Sequence, residues 1–164
     1  MSALTPRERM IAALEHRPII GRVPHFELVF YLTMEAFGRF HPGQRYYENW
    51  QQMEPKEREL HLQDIAEIYL LTAERFEHDA IYVLANAAGE EANARLVEII
   101  RERSGDRYFL MVGCDATYGI PNGHDMEAFS LRLADEPEQM KADADAMVHR
   151  ALDYVARWQA RGTI

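Results

Sequence analysis

The order of apolar segments along the chain predicts an α/β fold, the N-terminal half of a (β/α)8 TIM barrel with parallel strands and outer helices. Two short apolar runs, 80–84 and 108–112, lack the alternation of half-buried strands, which is typical of parallel strands covered on both faces. Amphipathic helical patterns flank both runs and favour β/α crossovers. Gly162 indicates a helix end, and the two residues after it indicate the start of another strand. Because a full barrel takes about 250 residues, we expect residues 1–164 to be a single incomplete barrel domain that ends before its fourth strand.

The first helix and the first strand are predicted close to the N-terminus. Thr5 and Glu8 match a capping box, and Pro6 between them suits the first helical position. The apolar face of this helix ends before Pro18. The apolar stretch that follows predicts a strand near residues 24–29.

A short helix, an irregular segment and a long helix are expected next, at 32–37, 39–54 and 55–77. The apolar residues of the long helix recur at steps of three and four, which places them on one helical face. A further helix at 90–103 separates the two apolar runs. This spacing completes a strand–helix–strand unit, which needs a parallel sheet.

Two more helical segments follow the second apolar run. The segment 123–133 indicates a short helix or irregular structure, and 136–160 is strongly amphipathic. The predicted core face of the last helix consists of Met140, Ala144, Met147, Val148, Ala151, Val155 and Trp158. We therefore expect this stripe to be buried.

Composition excludes several classes of partner. The net charge of −9 argues against nucleic acid and anionic membranes. The single cysteine, Cys114, rules out an internal disulfide and favours a reducing, cytoplasmic location. No apolar run approaches the roughly 20 residues that span a bilayer. A small-molecule substrate is the partner class that remains.

The candidate site residues lie where strands are expected to end, because barrel active sites form at the carboxyl ends of the strands. Asp115 and Glu27 are the candidate catalytic residues, Asp115 as a general base or substrate anchor. His25, Asn86 and Tyr118 are the candidate substrate-binding residues. His25 and Glu27 project to the same side of an extended strand.

Structural roles compete with these assignments. Asp115 also fits as the cap of a following turn, and His25 and Glu27 fit as hydrogen-bonded residues of the barrel mouth. Two ligands are too few for zinc, so no metal site is predicted in this chain. Cys114 is expected to be an inert core residue. The chain has no P-loop, dinucleotide-binding fingerprint, nucleophile elbow or CxxC pair, so nucleotide and acyl-enzyme chemistry lack support.

Several segments together resemble the uroporphyrinogen decarboxylase superfamily, which also contains corrinoid- and cobalamin-linked methyltransferases. The resemblance begins with the helix and turn at 4–16 and 22–24. It continues through the helix-to-strand joint at 74–81 and the segment 133–138, and it extends along the last helix to Gly162. It implies a (β/α)8 barrel that binds substrate or cofactor at the carboxyl ends of its strands.

Two departures separate this chain from the true decarboxylases of tetrapyrrole biosynthesis. The stretch 26–40 lacks the arginine-containing motif with which those enzymes grip substrate carboxylates, and Asn86 occupies the position of their aspartate. The methyltransferase-like branch is therefore the closer match. Its zinc ligands, a His-x-Cys pair and a later cysteine, belong to the second half of the barrel. The resemblance thus implies no cofactor in this chain, and zinc and a corrinoid in a full-length parent.

The resulting expectation is a fragment of a corrinoid- or cobalamin-linked methyltransferase-like barrel enzyme, inactive on its own. Its expected partners are a small-molecule or corrinoid-protein substrate, together with the missing half or a second copy of the chain. Two alternatives stay open. One is a true uroporphyrinogen decarboxylase, and the other is a non-catalytic half-barrel that is inert or assembles with another chain.

Overall fold

A computed structural model of the chain describes residues 4–40, 49–84 and 88–162. The elements along the chain are six helices and two strands in those ranges: α1 (Pro6–Leu14), α2 (Thr33–Phe37), α3 (Pro55–Arg75), β1 (Ala80–Val83), α4 (Glu90–Ser104), β2 (Phe109–Val112), α5 (Asp125–Asp135) and α6 (Pro137–Arg161). A single 3₁₀ turn, Trp50–Gln52, precedes α3. The chain divides into two compact units, one that reaches Gly113 and one that spans Cys114–Gly162.

The centre of the first unit is a parallel two-stranded sheet. β1 pairs with β2 in a register that sets Ala80 opposite Phe109 and Val83 opposite Val112. The connection between the strands contains α4, as a parallel pair requires. The predicted strands at 80–84 and 108–112 are confirmed, and so is their parallel direction. The fold is therefore α/β, mostly helical, and the described residues form no closed barrel.

The strand predicted at 24–29 is wrong, because no described residue of this segment belongs to a strand. The segment starts to pair with β1, since the Asp79 amide donates to the His25 carbonyl at 2.8 Å. The next bond is different, because the His25 amide donates at 2.9 Å to the carboxylate of Asp79 rather than to a main-chain carbonyl. Pro24 has no N–H with which to extend a ladder. Pairing consequently stops after one main-chain bond.

Sequence-encoded caps define the starts of α1 and α3. Thr5 and Glu8 form the predicted capping box of α1, with Pro6 in the first turn. Glu54 and Glu57 form the equivalent box ahead of α3. The predicted short helix is also present, and Gly38 ends it with a φ of 65°, a left-handed conformation that glycine adopts without strain.

The core of the first unit lies between α3, α4 and the sheet. Each helix packs one apolar face against the other, and the buried residues include Ile65 and Ile68 of α3 and Val97 and Ile100 of α4. On the outer side, Arg95 bridges Glu59, Glu98 and Glu102. The amphipathic patterns of these two helices therefore predicted their buried faces.

The second unit pairs α5 with α6, and here the expected burial is wrong. Only Met140 and Trp158 of the predicted core face are buried, whereas Val148 and Val155 are exposed. α6 has 25 residues and α5 has 11, so one partner helix is too short to cover the whole stripe. The apolar face of α6 is genuine, but most of it has no cover.

None of the helices in the described ranges is long and apolar enough to cross a membrane.

Candidate functional site

A small cavity lies where the segment 27–30 passes over α3 and β1. Its volume is about 20 Å³, which is enough for one water molecule. The polar side chains that line it are Glu27, Tyr69, Thr72, His78 and Tyr82. Its remaining lining comes from apolar residues of the segment, of α3 and of β1. Carboxylate, imidazole and phenol groups therefore meet beside a parallel strand.

His78 is the residue of this cavity that sequence reasoning missed. It is 5% exposed and stands two residues before β1. Burial lowers the pKa of His78, and the neighbouring His25 lowers it further, whereas Glu27 and Asp79 act in the opposite direction. Among the described residues, the His78 ring has no hydrogen-bond partner. The imidazole is therefore neutral near pH 7 and free to accept or donate a proton at the cavity wall.

Two tyrosines lie near the carboxyl end of β1. The Tyr69 hydroxyl accepts a hydrogen bond from the Leu84 amide at 3.1 Å, and burial raises the pKa of Tyr69 to about 12. The Tyr82 hydroxyl lies over Gly113, just past the end of β2, where an added β carbon would overlap it. Gly113 is therefore required for this packing, since any larger residue would displace the phenol. Tyr69 remains a neutral acceptor of the main chain at physiological pH.

His25 takes part in a buried polar cluster at the amino end of β1. The Asp79 carboxylate is completely buried and accepts from Arg9 at 3.3 Å, from Arg22 and from the His25 amide. Arg22 also donates to the Glu77 carbonyl at 2.5 Å. The contacts of His25 thus give it a structural function here, and a substrate-binding role stays a prediction.

The candidates Asp115 and Tyr118 belong to the second unit. Asp115 Oδ1 accepts from the Thr117 amide at 2.7 Å, and hydrogen bonds with Thr117 lower the pKa of Asp115. This is the capping geometry weighed against a catalytic role, and a carboxylate of lowered pKa is a weaker base at pH 7. The Tyr118 hydroxyl accepts from Arg132 at 3.3 Å. Catalysis by Asp115 and binding by Tyr118 stay predictions.

Asn86 lies outside the described residues, so its placement at the mouth also stays a prediction. Glu27 is the only one of the five candidates, within the described part of the chain, that lines the cavity. Glu27 and His78 both belong to the first unit, so the two side chains share one cavity wall within a single compact body.

The described residues do not assemble the zinc site that the family resemblance implies for a full-length parent. Across the described ranges, no group of three or more His, Cys, Asp or Glu side chains is placed to hold a metal ion. Cys114 is exposed rather than buried in a core, because β2 ends at Val112, and its Sγ lies 3.5 Å from the Ala151 carbonyl. The expectation of an inert core cysteine is therefore wrong.

Two larger clefts follow the surface between α3 and α4, with volumes of about 400 and 560 Å³. Most of their charged side chains are already in ion pairs. Arg95 binds Glu102 at 2.8 Å, Arg107 binds Glu74 at 3.3 Å, and Asp64 and Glu67 bind Arg39. Their size makes room for a ligand, but the paired charges already satisfy the groups that would recognise one. The small cavity beside β1 is therefore the better candidate site.

No family model, no curated protein and no solved structure matches this chain.

Proposed function

We propose that this chain contributes the first β/α units of a barrel enzyme in the uroporphyrinogen decarboxylase superfamily, within the methyltransferase-like branch. The observation that carries the proposal is the cavity in which Glu27 and His78 meet beside a parallel strand. The parallel β1–α4–β2 unit is the repeating unit of such a barrel. The family resemblance supplies the reaction class, and the cavity supplies residues able to serve it.

Glu27 and His78 form an acid–base pair in this proposal. Glu27 and His78 line the same small volume, and Glu27 acts on the imidazole through its charge, so a substrate group or water placed there could exchange a proton with either residue. Burial by the overlying segment keeps bulk water away from the imidazole. His78 then acts as the acceptor at pH 7, and Glu27 stabilises its protonated form.

The chain's own residues cannot supply the metal chemistry of the branch. Cys114 is the only cysteine, whereas the branch uses a His-x-Cys pair and a later cysteine for zinc. The proposed contribution of this chain is therefore substrate binding and proton handling. His25, Asn86, Asp115 and Tyr118 are proposed to complete the mouth of the assembled barrel.

The test is complementation in trans. The chain is mixed with a polypeptide that carries the later strands and zinc ligands of a superfamily methyltransferase, and methyl transfer from methylcobalamin to a thiol is measured. We expect activity only in the mixture. Glu27→Gln should lower it at least about a hundredfold, the lower end of the range ascribed to general acid–base catalysis.

The matched control is Glu35→Gln, which removes an exposed carboxylate from α2 and should leave the rate unchanged. Association without activity would remove the methyltransferase proposal and retain the barrel. Failure of the two polypeptides to associate would remove the barrel itself.

A second candidate is the non-catalytic half-barrel that assembles with another chain. The uncovered apolar stripe of α6 favours it, because large exposed apolar patches usually mark interaction surfaces. In the same mixture, this candidate predicts association and no turnover with any thiol acceptor.

A further inference from the structure

One irregular segment, residues 22–31, covers the cavity and is held at both ends. At its start, Arg22 bonds the Asp79 carboxylate and the Glu77 carbonyl. Near its other end, the ring of Phe30 packs 4.5 Å from that of Phe76. The segment has no helix or strand of its own, so contacts such as these and the hydrogen bonds of His25 hold it in place. We call residues 22–31 the strap.

The hydrogen bonds of His25 require a neutral ring. Arg22 Nη1 lies 2.8 Å from His25 Nδ1, and a guanidinium can only donate, so Nδ1 accepts. His25 Nε2 lies 3.0 Å from the Phe76 carbonyl oxygen, which can only accept, so Nε2 carries the proton. A second proton on His25 would set an N–H against the Arg22 guanidinium. Protonation of Nδ1 would therefore replace the hydrogen bond from Arg22 by repulsion between two cations, against which stands the attraction of Asp79 Oδ2, 3.7 Å from the same nitrogen.

His78 lies beneath the strap, and a proton on its ring would also disfavour the closed arrangement. Its ring meets that of His25 edge to face, with the ring centres 5.4 Å apart. Burial lowers the pKa of His78 from the ordinary value of 6.5. A buried neutral histidine contributes stability that is present above this ordinary value and is lost as the pH falls below it.

The charged groups around the His78 ring have opposing effects on its pKa. Arg22 and His25 oppose protonation of His78, whereas Glu27 and Asp79 favour it. Tyr69 lines the same cavity from α3, and burial raises its pKa to about 12, so it stays neutral in this pH range. Asp79 is already occupied by Arg9, Arg22 and the His25 amide, so it has little capacity left for a new cation.

We infer that the strap is an acid-sensitive lid, which closes over the cavity while the buried His78 is neutral and opens it to solvent when His78 is protonated. Opening would widen a space for one water molecule into a site that a small polar molecule can enter. The inference rests on the geometry of the strap and does not depend on the proposed methyl transfer.

The test is hydrogen exchange of the strap amides, corrected for the intrinsic rate, from about pH 8 to about pH 5, the range in which histidine changes its charge. Protection of the strap should fall severalfold at the acid end, because the lowered pKa of His78 makes its protonation disfavour the closed strap. Amides of α4, in the core of the same unit, should keep their protection. A strap whose protection does not change with pH overturns the inference.

Substitutions separate the two histidines from general acid unfolding. His78→Phe keeps an aromatic ring but cannot be protonated, so it should abolish most of the pH dependence of the strap. His124→Gln removes an exposed histidine of the second unit and should leave the dependence unchanged. A His78→Phe protein with the original dependence overturns the inference.

A spectroscopic measurement on the unmodified chain decides the case in which His78→Phe fails to fold. The ring resonances of His78 are followed by NMR across the same pH range. They should change together with the loss of strap protection. Protonation of the His78 ring without any change in the strap amides overturns the inference.

Discussion

Helices α4 and α6 are both amphipathic, but their apolar faces differ in how far they are buried. The face of α4 packs on α3 and the sheet, so that Leu96, Val97 and Ile100 are almost completely buried. The face of α6 has a longer stripe, but Leu152 remains 61% exposed. Periodicity therefore indicates which side of a helix is apolar, whereas only a partner of matching length decides whether that side is buried.

The largest effect is expected in the first unit, at the buried carboxylate that joins its segments. Asp79→Asn removes the charge that Arg9 and Arg22 share, and it should lower the free energy of unfolding by about 3–5 kcal/mol, as for other broken buried ion pairs. Urea denaturation provides the measurement. Asp106→Asn is the control, because Asp106 is 87% exposed in its pair with Arg101. Equal losses of unfolding free energy for the two variants would show that burial does not determine how much an ion pair stabilises this fold.

The difference in burial between α4 and α6 predicts the next largest change in unfolding free energy. Ile100→Ala empties a fully buried site in α4 and should cost about 2–5 kcal/mol of unfolding free energy. Leu152→Ala in α6 should change it by no more than about 0.5 kcal/mol in the dilute, monomeric chain, as at other surface positions. Thermal unfolding of both variants at low concentration provides the comparison. A large loss for Leu152→Ala would mean that α6 is covered within the monomer.

The uncovered stripe of α6 should drive self-association, as expected for a half-barrel. Sedimentation should show a dimer or larger species. Leu152→Glu should raise the dissociation constant of this species about tenfold or more, because it places a charge in the apolar contact. Ala146→Glu adds the same charge at another exposed position of α6 and serves as the control. A monodisperse monomer of the unmodified chain would contradict this prediction.

The last and smallest expected effect concerns decarboxylation of uroporphyrinogen. We expect no turnover, with or without substitution. The stretch 26–40 lacks the arginine motif, and unpaired burial of substrate carboxylates costs several kcal/mol each. Asn86→Asp should not rescue activity, because the substrate would still lack its anchors. The assay is anaerobic conversion of uroporphyrinogen to coproporphyrinogen. Turnover by the unmodified chain would restore the decarboxylase alternative.

Local signals predicted the elements of this fold well. Thr5 and Glu8 marked the start of α1, and the apolar runs marked β1 and β2, because each signal depends only on neighbouring residues. The strand at 24–29 failed because the carboxylate of Asp79, more than fifty residues away, takes the bond that a neighbouring strand would make. No pattern among neighbouring residues predicts that the distant Asp79 carboxylate takes this hydrogen bond.

The candidate site was harder to predict than the fold. Glu27 was found from strand alternation and does line a cavity, although it does so from a strap rather than a strand. His78 was missed because its importance comes from burial beneath the strap, which only the tertiary structure shows. A histidine next to Asp79, just ahead of an apolar run, was the one available signal.

The Asp79 cluster also sets an order for folding. Its arginine partners stand 57 and 70 residues earlier in the chain, whereas α3, β1, α4 and β2 are consecutive. Contacts between consecutive elements close short loops, and distant contacts require a larger loss of chain entropy before they form. We therefore expect the α3–β2 segment to form the nucleus, and α1 and the strap to dock afterwards. Conservative substitutions in the core of α3 and α4 should slow folding, whereas loss of the Arg9 contact should mainly speed unfolding.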